Sequence, residues 1–459
     1  MRKLFLLLSV SGILIALHVP AQNADSIMIR KIFNEALQNG KGYSWLYDLS
    51  TNIGGRLSGS KEAEKAVLWA KKTMLETNAD NVWLQECMVP HWVRGEKEVG
   101  KIIDSKNNAQ QVPVCALGRS IPTPKEGITA SVIEVRHKDE LKSLGEKNIK
   151  GKIVFYNFPF DQTKINTFDA YGEAVWYRWA GPSEAARYGA VASVCRSMTN
   201  ISDDNPHTGA MRYIDSLPAI PCCAVSTNGA DLLSKILKAD PQTKFFLKMN
   251  CQTLDSVISY NVIGEIKGSM HPEEIIVVGG HLDSWDLSQG AHDDGSGVVQ
   301  SIEILSIFKK LGIKPKRTIR AVAFMNEENG GRGGAKYAEL SKSRGEKHIA
   351  AIESDAGAFT PYGFGLDMDE EKKDLIKKWK SLFLPYNIWN FDRTFGGADI
   401  DHLKELQQVP CIGLMVDSQR YFDVHHAASD TFDKINRREL ELGAAAMGAL
   451  VYLLSEYGL

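Results

Sequence analysis

The stretch from Ile275 to Val298, IIVVGGHLDSWDLSQGAHDDGSGV, limits what the chain can fold into more than any other. Ile275 to Val278 is an unbroken β-branched run, which suits a strand buried on both faces of a parallel sheet. Gly279 and Gly280 end the run, and His281-Leu282-Asp283 follows at its carboxyl end. Open α/β sheets bind ligands outside that end of their strands. A short loop then brings His292-Asp293-Asp294, and Gly295-Ser296-Gly297 opens an amphipathic helix. Imidazole nitrogen and carboxylate oxygen arriving on two loops at one sheet end are suitable donors for a divalent metal. Alone, His-x-Asp recurs by chance, and a solvated sheet-edge loop is the plain alternative.

The rest of the chain supplies the sheet. From about Ser256, strands expected near 261–266, 275–278, 318–324, 349–352, 388–391 and 411–416 alternate with helices near 298–311, 372–383, 401–406 and 437–457. That alternation gives an α/β class, with a mostly parallel central sheet and helices on both faces. Upstream, Ser60 is placed to cap a helix whose apolar stripe is Ala63, Ala66, Val67, Ala70 and Met74. Between about 111 and 250 the texture changes to short strands and helices with no clustered ligand set. We read that span as an inserted domain within a catalytic domain formed by 22–110 and 251–459. His207, in Asn205-Pro206-His207-Thr208-Gly209, reads as a loop hydrogen-bonder.

Charge excludes some functions. The formal net charge of the 459 residues is −2, so no global field favours nucleic acid or anionic membrane. The N-terminus reads as a cleaved signal peptide: Arg2 and Lys3, an apolar run from Leu4 to about Ala16, and Val19-Pro20-Ala21 before a cut after Ala21. A secreted or periplasmic protein with no stable membrane span in the mature chain is expected. Export permits disulfides, but seven cysteines, with no CxxC among them, leave the pairing open. Cys222-Cys223 read as small buried hydrophobes.

Three further clusters follow predicted strands. Ala321 to Met325 runs into Asn326-Glu327-Glu328. Ala350 to Ile352 runs into Glu353-Ser354-Asp355, and Cys411 to Val416 into a loop ending Val424-His425-His426. Each has a dull reading in capping or turn chemistry. Four such ends on one parallel sheet are instead a metal site at a single rim.

With those motifs in hand, the chain resembles the zinc exopeptidases of the co-catalytic aminopeptidase family. The matching segments are GGRLSGS from Gly54, GHLDSWD from Gly280, GAHDDGSG from Gly290, NEENGG from Asn326, ESDAG from Glu353 and HHAASDT from His425, with PHTG at Pro206 in the inserted region. The resemblance spans nearly all of the mature chain and implies a protease-associated-like insertion. It implies two zinc ions per chain: His281 and Asp355 on one, Glu328 and His426 on the other, and Asp293 bridging both. His426 is taken over His425 because it lies four residues before Asp430-Thr431. The resemblance also makes Glu327 the general base to a metal-bridging hydroxide, and Asp283 the residue that orients His281. His425 is placed at the oxyanion, with a structural role as the alternative. For Asp399, capping of the next helix is favoured over support of the site. Trp285, Phe359 and Phe395 are candidate pocket walls, against the alternative of structural aromatics.

The implied activity is hydrolysis of dipeptides or short peptides, and a homodimer is implied by the resemblance alone. An aminopeptidase acting on longer peptides, a non-catalytic binding protein and a single-zinc glutaminyl cyclase-like acyltransferase are the competing readings.

Overall fold

The computed structural model describes residues 21–459. The leader read in the sequence falls outside that range but for Ala21. Seven strands form a first sheet: β1 (Asn81–Val93), β2 (Gln252–Ile266), β3 (His271–His281), β4 (Arg317–Phe324), β5 (Lys347–Glu353), β6 (Pro361–Asp367) and β7 (Cys411–Val416). Their spatial order is β1-β2-β4-β3-β5-β7-β6. The four middle strands, β4, β3, β5 and β7, run parallel. β1, β2 and β6 are antiparallel additions at the two sides, so the sheet is mixed with a parallel centre.

The β-branched run explains why this centre is dry. Successive side chains of a strand point to opposite faces. Ile276 and Val278 enter a core shared with α1 (Ala21–Asn39), α3 (Lys61–Glu76), α5 (Ser296–Lys310) and α8 (Arg437–Tyr457), the last packing also near the short α2 (Gly42–Tyr47). Ile275 and Val277 enter a second core on the other face, with residues of α6 (Arg332–Ser343) and α7 (Asp401–Gln407). All four side chains are 5% exposed or less, so each stabilises the sheet by about 1.5–3 kcal/mol relative to exposure. Ser60 caps α3 as read, its hydroxyl accepting from the Ala63 amide at 3.0 Å.

Two local expectations change. The strand read near 388–391 contributes only a single bridge, Asn390 to Gly363. The edge position belongs to β6, whose Gly363 and Gly365 carry no strand signal. A Cβ at Gly363 would stand 2.1 Å from the Asn390 carbonyl, so the glycine is there for a close crossing. Asp399 does not cap α7: both of its buried carboxylate oxygens lack hydrogen-bond partners, and Glu353 accepts from the Ile400 amide at 3.0 Å instead.

Between β1 and β2 the chain leaves this sheet and builds another. Eight strands order as Ala109–Val112, Val99–Ile103, Lys244–Lys248, Ile128–Val135, Ile153–Tyr156, Ala192–Arg196, Cys222–Val225 and Val114–Ala116. Helix α4 (Asp139–Ile149) and helices at Thr167–Trp179, Gly181–Arg187 and Thr227–Ala239 accompany them. Leu57 and Trp285, from outside this span, complete one of its cores. All seven cysteines are free and buried. Among the described residues no helix is long and apolar enough to cross a membrane.

Candidate metal centre

The parallel centre fixes where the polar clusters meet. His281 closes β3 opposite Phe324 of β4, and Glu353 of β5 pairs with Gly279 of β3 and Gly413 of β7. The loops after all four strands therefore open at one rim. The turn-rich segment from Gly54 braces them. Buried Arg56 donates to the carbonyls of Leu282 (2.6 Å), Gln289 (2.9 Å) and Gly290 (2.9 Å), spanning the loop between His281 and Asp293. Ser58 donates to Asn329 at 3.0 Å and accepts from Asn326 at 2.7 Å, holding the turn that carries Glu327 and Glu328.

The donor atoms converge around Asp293. Its Oδ1 lies 3.2 Å from His281 Nε2, which is 3.6 Å from Asp355 Oδ1. Its Oδ2 lies 3.4 Å from His426 Nε2, which is 3.2 Å from Glu328 Oε2. One carboxylate thus faces two separate histidine–acid pairs with its two oxygens. His425 comes no closer to Asp293 than 3.9 Å, and its ring stacks on His426 with centroids 3.6 Å apart.

Supporting contacts set each donor. His281 Nδ1 faces the Asp283 carbonyl at 3.0 Å, an acceptor, so Nδ1 carries the proton and Nε2 keeps its lone pair. The Asp283 carboxylate stands 3.9 Å from that ring; its Oδ1 accepts from the amides of Asn326 (2.7 Å) and Glu327 (3.1 Å). Asp283 therefore orients His281 through its backbone and the Glu327 turn through its side chain. Glu328 Oε1 accepts from the Trp285 amide at 3.1 Å, leaving Oε2 for the cluster. Asp430 accepts from the amides of His292 (2.8 Å) and Asp293 (3.1 Å). His426 Nδ1 lies 3.3 Å from the Thr208 carbonyl and 3.2 Å from Arg178, which turns Nε2 toward Asp293 and Glu328.

This donor set fits zinc. Tetrahedral ligand atoms about 2.0–2.1 Å from one ion stand roughly 3.3–3.4 Å from each other, the spacing seen around both oxygens of Asp293. His281 Nε2, Asp293 Oδ2 and Asp355 Oδ1 are buried without hydrogen-bond partners, which in a protein interior calls for a ligand. The electrostatics agree. Burial first, then the nearby Asp355, Asp293 and Asp283, push the Glu327 carboxyl up to about 8 against the opposing pull of His281. Burial and Asp293 likewise hold Glu328 well above the usual carboxylate range. So many carboxylates in one dry place need cationic partners.

Residues beside the second sheet brace the His425-His426 segment, and of these Tyr171 and Arg178 gave no signal in the sequence. Thr208 donates its amide to the His426 carbonyl at 2.9 Å. His207 is a hydrogen-bonder, as read: its Nδ1 meets the His425 carbonyl at 2.7 Å, and burial lowers its ring to about 4, keeping it neutral. Arg178 donates to Tyr171 (2.7 Å) and to Thr208 (3.3 Å) and approaches His426 Nδ1 at 3.2 Å. The PHTG segment was the one signal for this brace. A cleft of about 380 Å³ opens over the donors, lined by Arg119, Tyr171, Arg178, Glu327, Tyr421 and His425 among others. Of the three aromatics read as wall candidates, Trp285 and Phe359 are buried, and Phe395 lines a separate cavity of about 200 Å³.

Comparison with known proteins finds relatives over nearly the whole chain. The sequence profile "Peptidase family M28" matches residues 261–451. Carboxypeptidase Q of Bos taurus is 35% identical over 433 residues, covering 94% of this chain and 89% of that protein. The Homo sapiens protein of the same name is 36% identical over 433 residues, with the same two shares of 94% and 89%. The crystal structure of a peptidase M28 precursor from Shewanella amazonensis superposes with a TM-score of 0.90 at 32% identity, covering 95% of this chain and 97% of that one. A zinc aminopeptidase from Bacillus subtilis shares the fold with a TM-score of 0.66 at 20% identity, over 91% and 95% of the two chains.

Proposed function

This chain belongs to peptidase family M28 and is a zinc metallopeptidase; from that premise we propose that it binds two zinc ions and hydrolyses dipeptides or short peptides. The observation that carries the reading is the placement of Asp293, whose two oxygens face two distinct histidine–acid pairs at 3.2 and 3.4 Å. His281 and Asp355 would hold one ion, Glu328 and His426 the other, and Asp293 both. Zinc held there supplies Lewis acidity, which lowers the proton affinity of a water and polarises the scissile carbonyl.

The chain's own residues do the rest. Glu327 lines the cleft, and its backbone is fixed by Asp283, so its carboxylate is free to take a proton from the attacking water and deliver it to the leaving amine. His425, held by His207 through its carbonyl, would orient the substrate oxygen. We assign the span between β1 and β2 as the protease-associated-like domain, wider than the 111–250 read from sequence because Val99–Ile103 joins the second sheet, and its PHTG segment would secure His426. Export through the N-terminal leader and a homodimeric assembly complete the proposal.

Metal analysis and a dipeptide panel test it together. The purified protein is expected to carry two zinc ions per chain and to lose dipeptide hydrolysis in chelator. Asp293→Ala is expected to hold fewer than two, because both ions lose a donor. Two zinc ions in that variant, or chelator-resistant hydrolysis, would refute the bridging assignment.

A further inference from the structure

Arg178, near the end of the helix Thr167–Trp179, is buried in the wall of the cleft, and among the described residues no carboxylate pairs with it. Its Nε has no hydrogen-bond partner. Buried charges are ordinarily paired, because an unpaired one is costly. The side chain is nevertheless fixed. It donates to Tyr171 at 2.7 Å and to the Thr208 carbonyl at 3.3 Å. Gly209, at φ 134°, packs so closely that an added Cβ would stand 2.3 Å from the guanidinium carbon. The guanidinium is thus held against Nδ1 of His426, at 3.2 Å.

That contact works against a cation on the other ring nitrogen. A neutral imidazole that ligates zinc through Nε2 carries its proton on Nδ1 and gives it to an acceptor, which strengthens the ligand. His281 has this arrangement, with the Asp283 carbonyl at 3.0 Å. For His426 the acceptor is the Thr208 carbonyl at 3.3 Å, and Arg178 donates to the same oxygen. Two N–H groups then compete for one carbonyl, their nitrogens 3.2 Å apart. If Arg178 donates to Nδ1 instead, the ring proton sits on Nε2 and blocks ligation. Both arrangements weaken the same ligand. A fixed guanidinium beside it also repels a cation arriving there.

The other position has no such neighbour. Among the described residues no arginine or lysine contacts His281 or Asp355, whose facing atoms are 3.6 Å apart and buried without hydrogen-bond partners. Resting on the two-zinc reading, we propose that Arg178 holds down the zinc affinity of the Glu328–His426 position, so that the ion there is the weaker of the two and the one that exchanges with free zinc. The span between β1 and β2, through this one side chain, sets how much zinc the surroundings must supply before both positions fill.

Zinc titrated into the chelated full chain, followed by calorimetry, tests this without recourse to activity. The wild type should take up two ions in two steps of unequal affinity, and His426→Gln should remove the weaker step while keeping the tighter. Arg178→Met keeps an extended side chain beside Tyr171 and removes the charge and the N–H groups. It should tighten the weaker step about ten- to a hundredfold, the usual worth of a contact to a ligating imidazole, and leave the tighter step unchanged. Arg178→Lys, which keeps the charge without the fork, should fall between. A weaker step that Arg178→Met leaves unchanged or loosens would overturn the proposal, as would two equal steps in the wild type or loss of the tighter step in His426→Gln. A wild type that takes up a single ion, bound equally by His426→Gln, would instead refute the two-zinc reading itself.

Discussion

Glu327 and Glu328 are adjacent in sequence and stand in different surroundings, which is why one position cannot substitute for the other. Glu328 is buried, with Oε1 held by Trp285 and Oε2 3.2 Å from His426. Glu327 lines the cleft half-buried, and none of the donor contacts described above involves its carboxylate. Glu327→Gln should therefore keep its zinc and its fold while kcat falls by about two to four decades, the usual worth of general acid–base catalysis. Zinc content and single-turnover rates measured on one preparation check it; near-normal turnover would refute the assignment. At this scale the strand ends were readable in sequence, because a β-branched run followed by glycine and acid marks a buried strand's exit. Arg56 and Arg178 were not readable as contributors. Each acts through contacts to segments far along the chain, and nothing in the local spacing of an arginine reports that.

Elements meet at a second buried acid pair, away from the cleft. Glu303 on α5 accepts from the Lys41 amide at 3.0 Å, and Glu441 on α8 accepts from the Tyr43 amide at 3.3 Å. The pair thus satisfies donors at the start of α2, which that short helix cannot satisfy itself. One oxygen of each carboxyl remains unpartnered. Burial, and then Glu441, push Glu303 from 4.5 up to about 8; burial pushes Glu441 from 4.5 up to about 7. Both folded values are raised, so this stabilisation is complete below pH 4.5 and is lost as pH climbs through about 7 and 8. Melting temperature should therefore decline between about pH 4.5 and about pH 8 and level off above, the loss in stability being on the order of a few kcal/mol. Glu303→Gln should flatten that decline, and a slope unchanged in the variant would exclude the pair as its source. Helix α5 itself was legible from its apolar period. The acid inside it was not, because one polar residue on a helix gives no sign that another helix meets it. The edge strand β6 escaped for a related reason: its glycines serve a crossing with Asn390, and such tertiary demands override strand preference.

The whole molecule is arranged so that two sheets share one ion-binding rim. Loops from β3, β4, β5 and β7 deliver the donors, while Thr208 and His207 of the second sheet grip the His425-His426 segment from outside. Without cations, Asp293, Glu327, Glu328 and Asp355 lie together with Asp283 and Asp294 in a place largely closed to water. Zinc that binds this arrangement and not the unfolded chain must stabilise it, by about 4 kcal/mol when free zinc exceeds its dissociation constant a thousandfold. Chelation should consequently lower the melting temperature by several degrees, and added zinc should restore it together with activity. Magnesium should restore neither, since it prefers octahedral oxygen ligands and dehydrates reluctantly, whereas two of the donors here are imidazoles. Differential scanning calorimetry on zinc-loaded, chelated and reconstituted protein checks this. If the chelated protein, shown by metal analysis to be free of zinc, melts where the loaded one does, the rim is not held together by its ions, and the convergence of the four loops must rest on the hydrogen bonds of Arg56, Ser58, Asp283, Asp430, His207 and Thr208.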